Sequence, residues 1–369
     1  MKKYIGIFLM SLISTIAVAQ KHYNLIVGTY TAPGKSEGIY TYDFEGATGN
    51  TSLKNITKGI ANPSYLAISP DKKYAYAVNE IGDKSSVSAF KYEAKSGKLT
   101  FLNKVDSHGA DPCFIIADAQ NVLVANYSGG SLAVFSRNAD GSLSEAMQVI
   151  KHTGKSIDPK GRQESAHVHM VKFTPDHKYL VVNDLGEDQT YIYNYNPTGK
   201  NQTLVEKSVI KTNPGTGPRH IVFSPNRKFA YLVHEFNGSI TTFEYKEGML
   251  TKTQEIGTTP KDFKGAVDAA DIHVSEDGKF LYETNRGDAN SISAFAILPT
   301  GKLQLIETLS TLGKGPRNFT IDPSGKFLLV GHQYTNNVVI FNRDTKTGKL
   351  KDSGKRIDVG APVCLVFDK

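Results

Sequence analysis

Arginine, histidine and glutamate recur at matching places in a set of repeated stretches. Arg219 precedes one apolar run, and Glu235 follows the next apolar run of the same copy. Arg286 takes the place of Glu235 in a later copy, while His167 and His169 stand at the place of Arg219 in an earlier one. Arginine is a charged fork of donors that can stabilise negative charge developing on a carbonyl oxygen. Histidine, or a glutamate removed from water, can accept a proton near neutral pH. We therefore predict Arg219 and Arg286 as oxyanion and anion binders, with Glu235 and one histidine handling protons.

Other polar residues fall at the same two places in further copies. Glu80, Asp184 and Gln333 align with Glu235, and Arg317 aligns with Arg219. A purely structural repeat has no reason to put charged groups at equivalent central positions, because burying them is unfavourable unless they are paired or used. We predict that Glu80, Asp184, Arg317 and Gln333 bind substrate beside the catalytic groups.

Two other interpretations of these residues are open. Ion pairs such as Arg219 with Glu235 and Arg286 with Asp184 could simply fill the centre of the fold. His167 and His169 alternate along one strand and face the same way, so with Asp184 they could hold a metal. No metal or other cofactor is predicted, since the chain has no further metal-ligand spacing or cofactor motif.

The elements that must position these residues form a repeated unit. Each copy has an apolar strand, a turn, a second apolar strand ending in Asn or His, a polar loop, and a third strand ending in an aromatic residue. The second strands end at Asn79, Asn126, Asn183, His234, Asn285 and His332, in steps of 47, 57, 51, 51 and 47 residues. A polar fourth strand follows, marked by Gly-x-Leu. A period near 50 with four short strands is typical of propeller blades. The sequence predicts an all-β, seven-bladed β-propeller in residues 20–369.

The first copy lacks its first strand. Residues 23–30 and 38–42 read as second and third strands, and nothing before them has the pattern of a first strand. The missing strand is found at 361–368, near the other end of the sequence. We predict that the C-terminal strand pairs with the first blade, which removes the sheet edge that an open ring would expose.

The first 19 residues read as a signal peptide. Lys2 and Lys3 precede an apolar run, and Ala17-Val18-Ala19 has the small-x-small pattern of a cleavage site. The run is short for a membrane span, and no later segment is apolar enough to cross a membrane. We predict an exported, periplasmic protein with no membrane span in the mature chain.

Composition narrows the classes of partner. The net charge of +7 favours an anionic small ligand but also suits the ordinary surface of a basic exported protein. No cluster of Lys and Arg is interleaved with aromatic residues, which argues against nucleic acid. The two cysteines, Cys113 and Cys364, each lie in an apolar strand pattern and read as buried thiols, although an exported chain could also pair them.

The repeats resemble those of the seven-bladed β-propeller lactonases, which include the propeller-type 6-phosphogluconolactonases and the fungal carboxy-muconate lactonizing enzyme. The motifs that carry the resemblance are Gly-Pro-Arg-His at 217–220, His-x-His at 167–169, Asn-Asp-Leu-Gly at 183–186 and Thr-Asn-Arg-Gly at 284–287. The resemblance covers essentially the whole mature chain. It implies a site of one histidine, two arginines and a glutamate, which fall on His167 or His169, Arg219, Arg286 and Glu235.

The resemblance implies a lactone hydrolase acting on a small anionic lactone. Sugar-phosphate lactones belong to the cytoplasm, so an exported chain points to another sugar or uronic-acid lactone. A lactonizing cycloisomerase, working in the ring-forming direction with the same residues, is one alternative. A propeller that binds a ligand or protein without catalysis is the other. The oligomeric state stays open.

Overall fold

Twenty-eight strands form seven four-stranded sheets in the part of the chain that the structure describes. The structure is a computed structural model, and it describes residues 21–32, 34–158, 160–260 and 262–368. The predicted signal peptide, residues 1–19, lies outside them. No helix among the described residues is both long and apolar enough to cross a membrane. The seven sheets confirm the predicted seven-bladed propeller.

The strands of the first four blades follow the repeats. Blade 1 contains β1 (His22–Thr29), β2 (Gly38–Glu45) and β3 (Thr51–Lys58). Blade 2 contains β4 (Leu66–Ile68), β5 (Tyr74–Asn79), β6 (Ser86–Glu93) and β7 (Lys98–Asp106). Blade 3 contains β8 (Pro112–Ala117), β9 (Asn121–Asn126), β10 (Ser131–Arg137) and β11 (Leu143–Lys151). Blade 4 contains β12 (Val168–Phe173), β13 (Tyr179–Asp184), β14 (Gln189–Tyr195), a 3-10 helix (Lys200–Gln202) and β15 (Leu204–Lys211).

The last three blades and the closing strand complete the ring. Blade 5 contains β16 (Pro218–Phe223), β17 (Phe229–His234), β18 (Ser239–Lys246) and β19 (Met249–Gly257). Blade 6 contains β20 (Ala269–Val274), β21 (Phe280–Asn285), β22 (Ser291–Ile297) and β23 (Leu303–Ser310). Blade 7 contains β24 (Pro316–Ile321), β25 (Phe327–His332), β26 (Asn337–Arg343) and β27 (Leu350–Asp358). The final strand, β28 (Pro362–Phe367), pairs antiparallel with β1, and this pairing confirms the predicted closure of the first blade.

A recurring turn sets the hairpin between the first and second strands of a blade. The residue that opens this turn accepts a hydrogen bond from the backbone N–H five positions later, at 2.7–3.1 Å. The residues that do so are Ser69, Thr174, Ser224, Ser275 and Asp322. Such short polar side chains stabilise turns by bonding to nearby backbone. The antiparallel hairpin then brings the residue before the first strand beside the residue after the second.

The Gly-x-Leu signature marks a contact between blades. Tyr76, Tyr231 and Tyr282 are fully buried in second strands. Each phenol donates a hydrogen bond to a glycine carbonyl in the next blade, namely those of Gly141, Gly301 and Gly348, at 2.8–3.1 Å. These glycines have positive φ, and a Cβ at Gly141 would lie 2.0 Å from the Tyr74 ring. A side chain would therefore be strained twice over, once by the backbone and once by the neighbouring ring.

The innermost strands are the first strands of each blade, and each contacts the next around the ring from β28 through β4, β8, β12, β16, β20 and β24 back to β28. Their side chains pack between sheets, whereas those of fourth strands such as β15 are largely exposed. Cys113 and Cys364 are both buried free thiols, as the strand patterns predicted.

Glu283, in the middle of β21, is a carboxyl group buried in this core. It is fully buried, its Oε1 accepts a hydrogen bond from Asn285 at 3.2 Å, and its Oε2 has no hydrogen-bond partner among the described residues. Burial raises the pKa of Glu283 from 4.5 to about 8, so the group is predominantly protonated in the folded chain at neutral pH.

Glu283→Gln is expected to flatten the pH dependence of stability. Because the pKa is higher in the folded chain, the stabilisation is complete below pH 4.5 and is lost as the pH rises through about 8. The free energy of unfolding should fall by a few kcal/mol more in the wild type than in the variant across this range, since one pKa unit corresponds to about 1.4 kcal/mol. Denaturant titrations at several pH values test this. A constant difference between the two proteins would contradict it.

Candidate active site

Bulges at the start of the innermost strands turn selected side chains toward the centre of the ring. The pairing of first and second strands shifts by one residue at Cys113, His169, Arg219 and Arg317. A bulge adds one residue to one strand and re-aims its side chain. All four bulged residues line one central cavity.

Residues of two further blades, blades 1 and 2, complete this cavity at the end of the channel where the second strands finish. Its walls are Tyr30, Ser64, Tyr65, Glu80, Cys113, His169, Arg219, His220, Arg317 and Val363. They come from every blade except blade 6. The cavity volume is about 10 Å³, which is room for about one water molecule. A ligand can therefore place only a small polar group inside it, and the rest of the ligand must lie at the mouth.

Glu235 holds three guanidinium groups at one side of this cavity. It follows β17 and its side chain is fully buried. One carboxylate oxygen accepts a hydrogen bond from Arg219 Nε at 2.8 Å. The other oxygen lies 3.1 Å from Arg286 Nη2 and accepts a hydrogen bond from Arg162 Nη1 at 2.5 Å. Asp268, 3.3 Å from Arg286, adds a second acid to the cluster.

The predicted pair Arg219–Glu235 is thus present, whereas Arg286 pairs with Glu235 and Asp268 rather than with Asp184. Arg219 and Arg286 also donate to backbone carbonyls, those of Ala270 and Ala269 respectively. The two arginines are consequently fixed in position by the protein before any ligand arrives, which is the preorganisation that electrostatic catalysis needs.

The charges around Glu235 set its protonation and that of its neighbours. Burial alone would raise the pKa of Glu235, but Arg286, Arg162 and Arg219 together hold it well below its usual range. Burial, with Arg286, lowers the pKa of Arg219 to about 10, so this guanidinium stays charged at neutral pH. The permanent carboxylate of Glu235 suits it to hold arginines, and does not favour the proton-transfer role predicted for it.

His169 is the histidine that faces the cavity. Its Nε2 lies 3.8 Å from Glu235 and its Nδ1 lies 3.8 Å from Cys113 Sγ. Burial, and then the charge of Arg219, keeps the pKa of His169 well below its usual range. The imidazole is therefore uncharged at neutral pH, so one of its ring nitrogens can accept a hydrogen bond from a ligand or a water molecule. His167 does not line the cavity, and it stacks on Tyr127 with ring centroids 4.5 Å apart.

Arg317 lies on the part of the cavity wall that blade 7 contributes. Its guanidinium is 5.7 Å from the centre of the Tyr30 ring, and the Tyr30 hydroxyl donates to Glu80 at 2.8 Å. Burial would lower the pKa of Arg317, but Tyr30 and Glu80 keep it above its ordinary value. Among the described residues no carboxylate forms a salt bridge with this guanidinium, so its charge is available to a ligand.

Two predicted substrate-binding residues are not brought to the cavity. Asp184 is fully buried and accepts hydrogen bonds from the backbone N–H groups of His167, Gly186 and Glu187 at 2.8–3.1 Å. Its second oxygen bonds to His152 at 2.7 Å. Gln333 also stands outside the residues that line the cavity, although its Oε1 is buried without a partner in the described part of the chain. Asp184 organises the surrounding loops instead of facing a ligand.

One group of side chains has metal-ligand spacing. Ligand atoms of His152, Asp184 and Glu187 lie within 4.8 Å of one another. Protein partners already use these atoms, since His152 bonds to Asp184, and Glu187 accepts hydrogen bonds from Gly154 and Tyr191. The group thus reads as a hydrogen-bonded network rather than an open coordination site.

Arg162 was missed by reasoning from the repeats. It lies between β11 and β12, in a connection (residues 152–167) that belongs to no strand and is longer than the corresponding connections between the other blades. Its guanidinium sits 5.5 Å from the Tyr127 ring centre and 5.3 Å from that of Phe236. The one available signal was the longest step between repeats, 57 residues from Asn126 to Asn183.

Comparison with known proteins places the chain in a family. The family model described as "Lactonase, 7-bladed beta-propeller" matches residues 24–367. The chain is 37% identical over 346 residues to the 6-phosphogluconolactonase of Bacillus subtilis, covering 92% of this chain and 97% of that one. It is also 37% identical over 334 residues to the 6-phosphogluconolactonase of Formosa agariphila, covering 89% and 94%.

A solved structure agrees with this assignment over the whole fold. The periplasmic gluconolactonase PpgL of Pseudomonas aeruginosa is 35% identical, with a TM-score of 0.90 and coverage of 94% of this chain and 99% of that chain. These matches confirm the resemblance that the repeats indicated. The chain therefore belongs to the seven-bladed β-propeller lactonase family.

Proposed function

We propose that this protein hydrolyses a sugar lactone in the manner of a 6-phosphogluconolactonase, with the central cavity as its active site. The observation that carries the proposal is the meeting of two guanidinium groups, those of Arg219 and Arg317, with the uncharged imidazole of His169 in one small cavity. The names of the relatives, 6-phosphogluconolactonase and gluconolactonase, support the same class of substrate.

The cavity suits the carbonyl end of a lactone. Attack by water on the carbonyl carbon moves negative charge onto the carbonyl oxygen, and the two guanidinium groups offer N–H donors for that oxygen. His169 takes a proton from the attacking water and returns it to the ring oxygen as the ring opens, so one water molecule is added and no cofactor is consumed. The cavity has room for about one small group, so in this scheme the carbonyl oxygen lies inside it and the attacking water at its mouth.

Glu235 acts in this scheme through the arginines. Its permanent charge partly offsets those of Arg162, Arg219 and Arg286 and fixes the direction in which Arg219 presents its donors. Glu235 is therefore a positioning residue rather than a base. His167, two residues before His169, stacks on Tyr127, and the Tyr127 ring packs edge-on against His169, so His167 supports His169 through this ring.

The location of the protein bears on its substrate. The N-terminal pattern at residues 1–19 and the periplasmic relative PpgL together support export to the periplasm. Sugar phosphates are cytoplasmic metabolites, so an exported enzyme would meet an unphosphorylated sugar-acid lactone or a uronic-acid lactone. We propose an anionic or neutral sugar lactone as the substrate, with the phosphate preference to be measured.

The proposal is tested by incubating the mature protein, residues 20–369, with a panel of lactones and measuring hydrolysis by the release of protons. The panel contains δ-gluconolactone with and without its 6-phosphate. The wild type is expected to open at least one lactone, and Arg317→Gln should reduce kcat/KM about 100-fold by removing an oxyanion donor. Arg227→Gln, at an exposed turn, is the matched control and should leave turnover unchanged.

The alternatives give different results in the same assay. Hydrolysis of no lactone, with ligand binding retained, would favour a propeller that binds without catalysis. Ring closure of a muconate in place of ring opening would favour the cycloisomerase. Equal turnover by the wild type and Arg317→Gln would remove the cavity from the mechanism.

A further inference from the structure

A segment between blades 3 and 4 contacts the cluster of arginines on Glu235. We call residues 152–158 and 160–167 the strap. The strap begins after β11, and Gln163 within it is fully buried and donates to the Leu185 carbonyl at 2.7 Å. Lys160 reaches across to blade 6, where its Nζ donates to the Val267 carbonyl at 2.9 Å. The strap is thus tied to blade 4 and to the start of blade 6.

Arg162 is the strap residue that enters the site. Its Nε and Nη2 donate to the Tyr127 hydroxyl at 2.9 and 2.7 Å, and its Nη1 donates to Glu235. Nη1 also lies 3.8 Å from Asp268, but Nη2 carries two N–H groups and donates one hydrogen bond, so the guanidinium has an N–H group left for a ligand. Arg162 is 37% exposed, whereas Arg219 and Arg286, the other guanidiniums on Glu235, are 2% and 8% exposed. Of the three cations on Glu235, it is the one that solvent and an arriving ligand can reach.

The charges of the cluster favour an anion at this point. Three guanidinium groups face the two carboxylates of Glu235 and Asp268, and the ammonium of Lys160 lies on the same strap. The cluster therefore carries an excess of positive charge, and Arg162 is the most exposed of its guanidinium groups. Two planar rings, those of Tyr127 and Phe236, hold Arg162 flat and limit the entropy it would lose on binding.

The small size of the cavity means that one end of a ligand lies inside it and the rest lies outside. Only a group the size of a carbonyl fits inside the cavity, so the remainder of a sugar lactone extends outward to the mouth. Arg162 and Arg219 bind opposite oxygens of the same carboxylate, so the exposed guanidinium lies one side-chain width from the cavity.

We propose that Arg162, with Lys160, forms an anion subsite at the mouth, which binds the phosphate or carboxylate at the far end of an anionic lactone. The inference rests on the proposed lactonase function and adds a specificity determinant to it. The subsite favours lactones that carry a negative charge, and the residues of the cavity carry out the ring opening. Guanidinium suits both anions because its fork of donors matches either group.

Kinetics on charged and uncharged lactones test the subsite. The substrates are 6-phosphogluconolactone, a glucarolactone with a free carboxylate, and neutral δ-gluconolactone. Arg162→Gln is expected to raise KM for the charged lactones at least about 10-fold, with kcat and the neutral substrate changed less than about 2-fold. The phosphate and carboxylate arms show which anion is preferred. Lys155→Gln, an exposed lysine of the same strap, is the matched control for loss of one charge and should change neither.

Two kinetic outcomes would overturn the subsite. Equal losses on charged and neutral lactones would make Arg162 a support for Glu235 alone. A wild type with no preference for charged lactones would show that no anion is selected.

Binding of inorganic phosphate gives a readout that does not depend on turnover. Phosphate is expected to raise the melting temperature of the wild type and of Lys155→Gln, but not that of Arg162→Gln. The same shift in all three proteins would contradict the subsite. If no lactone is opened, the proposed function fails by itself, and the phosphate result still decides the subsite.

Discussion

Glu235→Gln is expected to lower the free energy of unfolding by about 3 kcal/mol or more and to reduce lactone turnover at least about 100-fold. Glutamine keeps the shape of the side chain and removes its charge. Arg219 Nε at 2.8 Å and Arg286 Nη2 at 3.1 Å would then be left as buried cations without their shared partner. Removing one member of a buried ion cluster is far more destabilising than replacing the whole cluster with apolar residues. The remaining charges stay buried and have lost their partner.

The pH dependence of this variant follows from the low pKa of Glu235. Since the folded pKa lies well below 4.5, the stabilisation by the carboxylate is complete above pH 4.5 and is lost as the pH falls through the folded pKa. The gap between wild type and Glu235→Gln should therefore be constant from pH 5 to 8 and should narrow only in acid. Thermal and denaturant unfolding measure it.

Glu255→Gln is the matched control, because it makes the same change in the same blade. Glu255 pairs with Lys252 at 2.6 Å, where the two side chains are 29% and 50% exposed. Exposed pairs contribute about 1 kcal/mol or less, so this variant should remain near the wild type in stability and turnover. A similar stability loss in both variants would show that the burial of Glu235 has no special effect.

Arg219→Lys is expected to reduce kcat by about 100- to 1,000-fold, the effect of removing one well-placed oxyanion donor. Arg219 uses Nε for Glu235 and Nη1 for the Ala270 carbonyl while facing the cavity. A lysine has one ammonium group and cannot reach all three points at once. Its charge still faces Glu235, so folding should suffer less than activity.

Steady-state kinetics with a parallel melting curve separate these two effects. Arg356→Lys is the control, because Arg356 makes a forked contact with Asp352 at 2.8 and 2.9 Å on an outer strand, far from the cavity. That variant should lose no turnover. If Arg219→Lys kept its full kcat with an unchanged melting temperature, Arg219 would have no part in stabilising the transition state.

The repeat made most of the fold predictable. Strand-and-turn periodicity located seven units, and the orphan strand at 361–368 revealed how the ring closes. The same register predicted that Arg219, Glu235, Arg286 and Arg317 would converge, because equivalent positions of a propeller repeat meet at one end of the channel. Glu80 reaches the cavity for the same reason.

The rest of the site depends on features that no repeat encodes. A single-residue bulge at His169 decides that this histidine, and not His167, faces the cavity. Asp184 has the repeat position of Glu235, yet three backbone N–H groups and His152 engage it. Arg162 comes from a segment outside the repeat, so its place on Glu235 follows from the path of one loop.

The pairing of β1 with β28 also means that the first blade cannot finish folding until the C-terminal strand has been synthesised. Roughly 330 residues of chain separate Thr29 from Pro362, which lie opposite each other in the same sheet. At synthesis rates of about 5 to 20 residues per second, β1 leaves the ribosome on the order of 20 to 60 s before its partner exists. Leu25, Ile26 and Val27 are fully buried in the folded protein. During that interval the edge of β1 that later pairs with β28 is unpaired beside these apolar residues. The finished ring has no free edge at this seam, but each newly made chain carries one until its last strand arrives.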